Sequence, residues 1–210
     1  MALMRYHFVM CSYAAVLVAC IAGCSHQSKV AMPPLLTELV RHSEEKLTLA
    51  EKPLPSIRLQ QDDIANIKAY IREHPGFVSF RLLFLIEQQA HDVYLALTDH
   101  IKANVLCSTL ATFEWMTDFG YLHPGGSYDG IAAQELLRVG PAALPCLIEM
   151  LDDKSEVFVE GSEIGVYEFR RADFAYRYVM LILGRKPTFH ADVDERDRII
   201  ADLKKELTAN

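Results

Sequence analysis

Apolar residues recur every three or four positions between residues 134 and 153, a spacing typical of helices with one buried face. Gly140 and Pro141 interrupt this stretch. Glycine can take the left-handed conformation that ends a helix, and proline suits the first turn of the next helix, where no N–H is needed. The pattern therefore predicts two short helices that fold back on each other at Gly140, as a packing unit rather than a catalytic one.

Apolar stripes of the same kind predict helices over most of the remaining chain. Prolines and glycines separate these stripes, and aspartates stand where they can cap helix starts. The continuously apolar run at residues 82–86 predicts a helix that is buried on all sides. The predicted helices cover about residues 35–47, 61–74, 77–97, 99–113, 171–183 and 194–207.

One stretch after these helices has the composition of β-strands. Residues 156–160 and 166–169 are rich in strand-forming residues, and a glycine-containing segment joins them. This predicts a β-hairpin near residues 156–169, which must lie against the helices because a two-stranded hairpin is marginal alone. The predicted fold class is mainly α, a compact α-helical domain with one small β-hairpin.

The N-terminus has the pattern of an exported protein. Arg5 precedes an uncharged apolar run at residues 8–23, and small residues close this run. A helix that spans a membrane needs about 20 apolar residues, so the run is short for a permanent anchor. A basic start, a short apolar segment and small residues at the end together predict a secretory signal peptide.

The end of this signal, Ile21-Ala22-Gly23-Cys24, resembles the lipobox of bacterial lipoproteins, in which an aliphatic residue and two small ones precede a cysteine. The resemblance implies that lipid attached to Cys24 holds the protein on a membrane surface after cleavage before this residue. Ser25 in place of an aspartate implies a periplasm-facing location on the outer membrane more than on the inner one. The alternative is an uncleaved anchor that contains a cysteine.

This resemblance sets the expected domain boundaries and the cysteines of the mature chain. Residues 1–23 are the signal peptide, residues 24–33 are the lipidated cysteine and its tether, and residues 34–210 are the α-helical globular domain. Two further cysteines lie in this domain, Cys107 and Cys146. An oxidising compartment permits a disulfide between them, but their apolar helical contexts favour two separate buried thiols.

The region from residue 130 to residue 184 resembles HEAT-like repeats, in which Gly-Pro-Ala-Ala-Leu-Pro-x-Leu opens the inner helix of a pair. In this chain the motif begins at Gly140, and a later apolar helix ends at Gly184. The resemblance covers about a quarter of the chain, one unit or one and a half, whereas a solenoid needs several stacked units. It therefore implies HEAT-like helical packing rather than a repeat array.

The charge of the chain excludes one class of partner. The net charge is −7, and the predicted signal peptide holds one cation, Arg5, and no acidic residue, so the mature chain is more acidic still. Binding of nucleic acid depends on basic residues that neutralise phosphates. The sequence has no basic stripe that would provide them, and no nucleic-acid partner is expected.

The first candidate site lies in the aromatic and glycine-rich stretch at residues 114–129, which is predicted to be irregular. Loops of this length in a helical domain are often functional. His123 and Asp129 are the candidates for acid–base catalysis, and Tyr121 and Tyr128 are the candidates for binding a polar ligand. The favoured alternative is structural: the aromatic rings pin the loop to the core, and Asp129 or Ser127 caps the next helix.

The second candidate site is the arginine pair at Arg170 and Arg171, which stands in the densest charge cluster of the chain. Arginine side chains recognise phosphate and carboxylate groups well, so this pair could bind an anionic ligand. The favoured alternative is a salt-bridged rim that joins the predicted hairpin to the following helix.

No metal or cofactor site is predicted. His91 and His100 lie nine positions apart, which does not place two ligands on one helix face, and neither cysteine has the spacing of a metal ligand. No local motif supplies a nucleophile and a base. The sequence therefore predicts a membrane-anchored lipoprotein with a binding or scaffold role in the cell envelope and an envelope protein as partner. The alternative is a hydrolase-like envelope enzyme that uses the loop at residues 114–129.

Overall fold

Helices form most of the chain that the computed structural model describes, which comprises residues 32–43, 57–112, 118–123, 126–157 and 168–209. Of residues 123 and 126–128, only the backbone is described. The mainly α fold class is confirmed. The helices are α1 (Pro34–Ser43), α2 (Gln61–Glu73), α3 (Phe77–Gln89), α4 (His91–Leu95), α5 (Asp99–Thr112), α6 (Ile131–Val139), α7 (Leu144–Met150), α8 (Arg171–Ile182) and α9 (Val193–Thr208).

Helix starts are fixed by side chains that bind the free backbone N–H groups. The Gln60 backbone N–H donates to the Asp63 carboxylate at 2.9 Å, which closes a capping box at the start of α2. Asp192 caps α9 by accepting from the Glu195 backbone N–H at 3.0 Å. The predicted aspartate cap is confirmed at Asp192, whereas at α2 the N-cap is Gln60 and Asp63 acts from the third position of the helix.

Helix α3 lies at the centre of the domain. Every residue from Ser79 to Ile86 is buried, which confirms the prediction of a helix that is buried on all sides. Helices α1, α2, α4 and α5 pack against it. The prediction of one helix over residues 77–97 is wrong, because the chain turns at Ala90 and the short helix α4 begins at His91.

Residues 131–150 form α6, a 3₁₀ turn at Gly140–Ala143, and α7. Gly140 has a φ of 62°, a conformation that glycine adopts without strain. The expected fold-back of one helix on the other is wrong. The apolar stripe of α6 packs mainly against α5 and α8, and that of α7 packs mainly against α8, so each stripe is buried by other helices.

The segment Ile131–Met150 is also the one stretch in the described helices that is long and apolar enough to cross a membrane, by length and composition alone. In its most apolar window, 44% of the segment is buried inside the domain. Its residues Leu136 and Leu147 are fully buried in the protein core. Such burial is typical of a helical segment that packs in the core of a protein.

A two-stranded antiparallel hairpin occupies part of the stretch that was expected to be irregular. Strands β1 (Tyr121–His123) and β2 (Gly126–Tyr128) pair with Leu122 opposite Ser127. Leu122 is buried whereas Tyr121 is exposed, the alternation typical of a strand with one covered face. The expectation of irregular structure is therefore wrong for these residues, and residues 113–117 and 124–125 lie outside the described chain.

The hairpin that the sequence predicts near residues 156–169 is described only at its two ends. Glu156 and Arg170 form an isolated antiparallel bridge, and the Val157 N–H donates to the Phe169 carbonyl at 2.8 Å. Residues 158–167 lie outside the described chain, so the two strands stay a prediction.

A disulfide joins Cys107 of α5 to Cys146 of α7, across a Cα–Cα distance of 6.3 Å. The expectation of two separate thiols is therefore wrong. The predicted apolar surroundings of each cysteine are confirmed, since Cys107 is buried and Cys146 packs against the core. The sequence gives no sign that α5 and α7 lie side by side, because 39 positions separate the two cysteines.

We predict that reduction of this disulfide lowers the free energy of unfolding by about 4 kcal/mol, because the bond restricts the unfolded chain. Urea unfolding of the purified chain with and without dithiothreitol measures this change. The matched control is the double variant Cys107→Ser, Cys146→Ser, whose unfolding should not respond to dithiothreitol. Equal urea midpoints for the oxidised and reduced wild-type chain would contradict the prediction.

Candidate functional site

A cleft of about 290 Å³ lies between α3 and α6. Its volume is close to the lower end of the range for small-molecule sites. Two acidic side chains and one arginine meet there beside apolar residues. The lining residues are Phe84, Glu87, Ile131, Gln134, Glu135 and Arg138.

Glu135 is the buried member of the cleft, with only 4% of its surface exposed. The Tyr94 hydroxyl of α4 donates to its carboxylate, and so does the Arg138 guanidinium one helical turn later. Arg138 also donates through Nη2 to Glu87 Oε1 at 2.9 Å and to the Tyr94 hydroxyl oxygen at 2.7 Å. These bonds connect α3, α4 and α6 through one guanidinium.

Lys102 of α5 also lies against the Tyr94 ring. Its Nζ lies 4.3 Å from the ring centroid, and Arg138 Cζ lies 5.2 Å from it. Both distances fall within the range of cation–π attraction. Lys102 is buried, and Asp99 lies 3.8 Å from its ammonium group. Burial lowers the pKa of Lys102 below that of an exposed lysine.

Burial has the opposite effect on the carboxyl group of Glu135. Removal from water raises the pKa of Glu135 above its ordinary value, and the hydrogen bond from Arg138 offsets part of this rise. A buried acid and a buried base with oppositely perturbed ionisation, grouped at a cleft, are typical of functional sites. This arrangement can hold a charged ligand or carry a proton between the cleft and the core.

The sequence contains a signal for this site that periodicity alone did not reveal. Glu135 stands on the apolar stripe of α6, between Ala132 and Val139, which are both buried. A charged residue at a core position of an amphipathic helix must find partners inside the protein. One partner of Glu135, Arg138, follows three positions later, but the other, Tyr94, lies far away in the sequence, and no local spacing identifies it.

Asp129 is held in an ion pair with Arg177 of α8. Both of its carboxylate oxygens accept from the guanidinium of Arg177, with Nη2 and Oδ2 3.1 Å apart. The alternative prediction that Asp129 caps the following helix is wrong, because the N-cap of α6 is Gly130, and no side-chain cap is formed there. Beside this pair, the buried Tyr178 hydroxyl donates to the Phe119 carbonyl at 2.7 Å, and burial raises the pKa of Tyr178.

The other residues of the first candidate site lie on the β-hairpin. Tyr121 is exposed, and its Cα stands opposite that of Tyr128 in the strand register. His123 ends β1, and the side chains of His123 and Tyr128 lie outside the described part of the structure. The acid–base role of His123 and Asp129 therefore stays a prediction.

The arginines of the second candidate site take part in a network of ion pairs. Arg170 is buried, and its guanidinium binds the Asp173 carboxylate at 3.1 Å and that of Asp197 at 2.6 Å. Arg171 lies 3.5 Å from the Asp153 carboxylate. These contacts join α8 to α9 and to the turn after α7, so the salt-bridged alternative describes this cluster better than an open anion pocket. Residues 158–167 of the predicted hairpin lie outside the described chain.

Asp197 shows how this network affects ionisation. Hydrogen bonds from Lys154 and then from Arg170 lower the pKa of Asp197. Arg196 completes the network, since its Nε lies 3.5 Å from Asp173 Oδ1 and its Nη2 donates to the Glu168 carbonyl at 3.2 Å. Arg170 and Arg196 both lie against Asp173, and Arg170 also binds Asp197 of α9, so the cluster is a structural junction between α8 and α9.

Among the described residues, no group of three or more histidine, cysteine or acidic side chains is arranged to hold a metal ion. No protein-family model matches the chain, and comparisons with curated proteins and with solved structures find no match.

We predict that Asp129→Ala lowers the free energy of unfolding by about 3 kcal/mol, because it removes an ionic partner of a largely buried guanidinium. Arg177 has a side chain that is only 9% exposed. The matched control is Asp202→Ala, which removes an exposed partner of Arg198 and should change stability by less than about 0.5 kcal/mol. An unchanged melting temperature for Asp129→Ala would contradict the structural role.

We also predict that Glu135 makes stability depend on pH. Because its pKa is raised in the folded chain, its stabilising contribution is complete below the ordinary glutamate value of 4.5 and is lost as pH rises through the folded pKa. Glu135→Gln cannot ionise and should gain stability relative to wild type over the same rise in pH. Urea midpoints of both proteins measure this difference, and a difference that stays constant with pH would contradict the prediction.

Proposed function

We propose that this protein is an exported lipoprotein, anchored to a membrane of the cell envelope by lipid on Cys24, with a helical domain that binds a partner. The sequence Ile21-Ala22-Gly23-Cys24 supports the anchor. Residues 1–31 lie outside the described chain, so this part of the proposal rests on the sequence. A lipid on Cys24 would hold the domain at the membrane surface without a spanning helix.

The single observation that carries the export proposal is the disulfide between Cys107 and Cys146. Disulfides form and persist in oxidising compartments such as the bacterial periplasm and are rare in the cytosol. The signal peptide and the disulfide are independent features of the chain, and both agree with export. Ser25 after the lipidated cysteine supports an outer-membrane location over an inner one.

The packing of α7 against α8 supports HEAT-like architecture. The motif that begins at Gly140 leads into α7, and the later helix that ends near Gly184 is α8, so both segments that carry the resemblance are helical. Among the described elements, α7 and α8 form the most extensive contact between two helices. In this proposal the HEAT-like pair is α7 with α8, whereas α6 belongs to the preceding layer. HEAT-like helix pairs commonly present binding surfaces, which supports a binding role.

The geometry favours binding over hydrolysis. Asp129, the proposed base of the enzyme alternative, is held by Arg177 on both carboxylate oxygens. A carboxylate engaged in this way is poorly placed to take a proton from a substrate. The cleft at Glu135 instead offers a small concave surface with charged and apolar groups, which suits a ligand or a side chain of an envelope protein.

Mass spectrometry of the protein purified from membranes in detergent tests the anchor. We expect a mature chain that begins at Cys24 and carries the mass of attached acyl chains. The matched control is Cys24→Ala, which should keep an unprocessed N-terminus and no acyl mass. An unmodified Cys24, or a mature chain that starts elsewhere, would remove the basis for the proposed location.

A further inference from the structure

We infer that the cleft between α3 and α6 is a binding site for an organic cation with a short apolar stem, such as a guanidinium or an alkylammonium group. The inference deepens the proposed binding role by naming a ligand class. It rests on side-chain contacts within the described domain, so it does not depend on the lipid on Cys24.

The first argument is the local charge. The cleft is lined by two carboxylates, Glu87 and Glu135, and by one guanidinium, Arg138. The ammonium group of Lys102 lies 4.3 Å from the centroid of the Tyr94 ring and 3.8 Å from Asp99. Counted together, these side chains leave one negative charge in excess. An anionic ligand would meet this excess in a partly desolvated cleft, whereas a cation would compensate it.

The second argument is the way in which the acceptors are used. Arg138 is the shared donor for both carboxylates, and its side chain is 51% exposed. Glu87 Oε1 accepts from Arg138 at 2.9 Å, and no described group donates to its other oxygen. Glu87 can therefore accept a further charge-assisted hydrogen bond from a ligand without losing the one from Arg138.

The third argument is the apolar part of the lining. Ile131 lines the cleft and is 43% exposed, which is unusual for a large aliphatic side chain in this domain. Phe84 lines the same cleft and is buried. A ligand that carried only charge would leave Ile131 in water. A short alkyl stem would cover it while the cationic end reached Glu87.

The site also predicts how binding depends on pH. Tyr94 from α4 and Arg138 from the same helix donate to Glu135. Two further charged groups belong to the cluster: Glu87 of α3 pairs with Arg138, and Lys102 of α5 lies against the Tyr94 ring. A cation in the cleft favours the ionised form of Glu135, so protonation of this carboxyl should weaken binding. Affinity should therefore fall as pH decreases through the raised pKa of Glu135.

The test uses the full chain in detergent with isotope-labelled isoleucine δ1-methyl groups, titrated with butylguanidine. N-butylurea is the matched neutral probe, with a similar shape and no charge. We expect a saturable shift of the Ile131 methyl signal with butylguanidine at millimolar concentration and a much weaker response to N-butylurea. The Ile199 methyl group on α9, outside the cleft, serves as the internal reference.

The variant Glu87→Gln should weaken butylguanidine binding about fivefold or more, because it removes the charge of an accessible acceptor. Glu87 is the better position than Glu135 for this variant, since it is less buried and its loss should leave the fold intact. The control Glu195→Gln removes an exposed carboxylate that pairs with Arg198, and it should leave binding unchanged.

Three results would overturn the inference. The first is an equal response to butylguanidine and N-butylurea, and the second is no saturable shift at Ile131. The third is a Glu87→Gln variant that folds and binds as wild type does. A chain that is lipidated on Cys24 but shows any of these results would keep the proposed location and lose this ligand class.

Discussion

The domain depends on the burial of α3. Every residue from Ser79 to Ile86 is removed from water, so this helix can exist only if other helices cover it on all sides. Helices α1, α2, α4 and α5 provide this cover, and α5 in turn supports α6 and the 3₁₀ turn. The order in which the remaining elements are layered follows from this one requirement, because each amphipathic helix has one apolar face to bury.

Buried charges then restrict how these layers can fit together. Glu135 meets Tyr94 of α4, Asp129 meets Arg177 of α8, and Arg170 meets Asp197 of α9. Such pairs add little net stability compared with apolar packing, but a buried charge that loses its partner costs several kcal/mol. A helix that slipped by one turn would separate these pairs. They therefore act mainly to select one arrangement of the helices.

The sequence predicts the elements of this fold better than their contacts. Helices repeat an apolar position every 3.6 residues, so their existence is a local property that composition and spacing reveal. The disulfide between Cys107 and Cys146 depends on the packing of α5 against α7, which is a property of the whole fold. The β-hairpin at Tyr121 escaped prediction because strands of three residues are too short to show an alternating pattern. The site at Glu135 could not be predicted from spacing, because it depends on Tyr94 of another helix.

Export and the cleft are connected through α5. This helix carries Cys107, which is bonded to α7, and Lys102, which lies against the ring of Tyr94. The disulfide therefore holds the end of the 131–150 segment to the same helix that places Lys102 against the Tyr94 ring. In a reducing compartment, only packing would hold α5 and α7 together. In an oxidising one, the covalent bond limits their separation, so the position of the Glu135 cluster would be best defined where the proposed lipid anchor would place the protein.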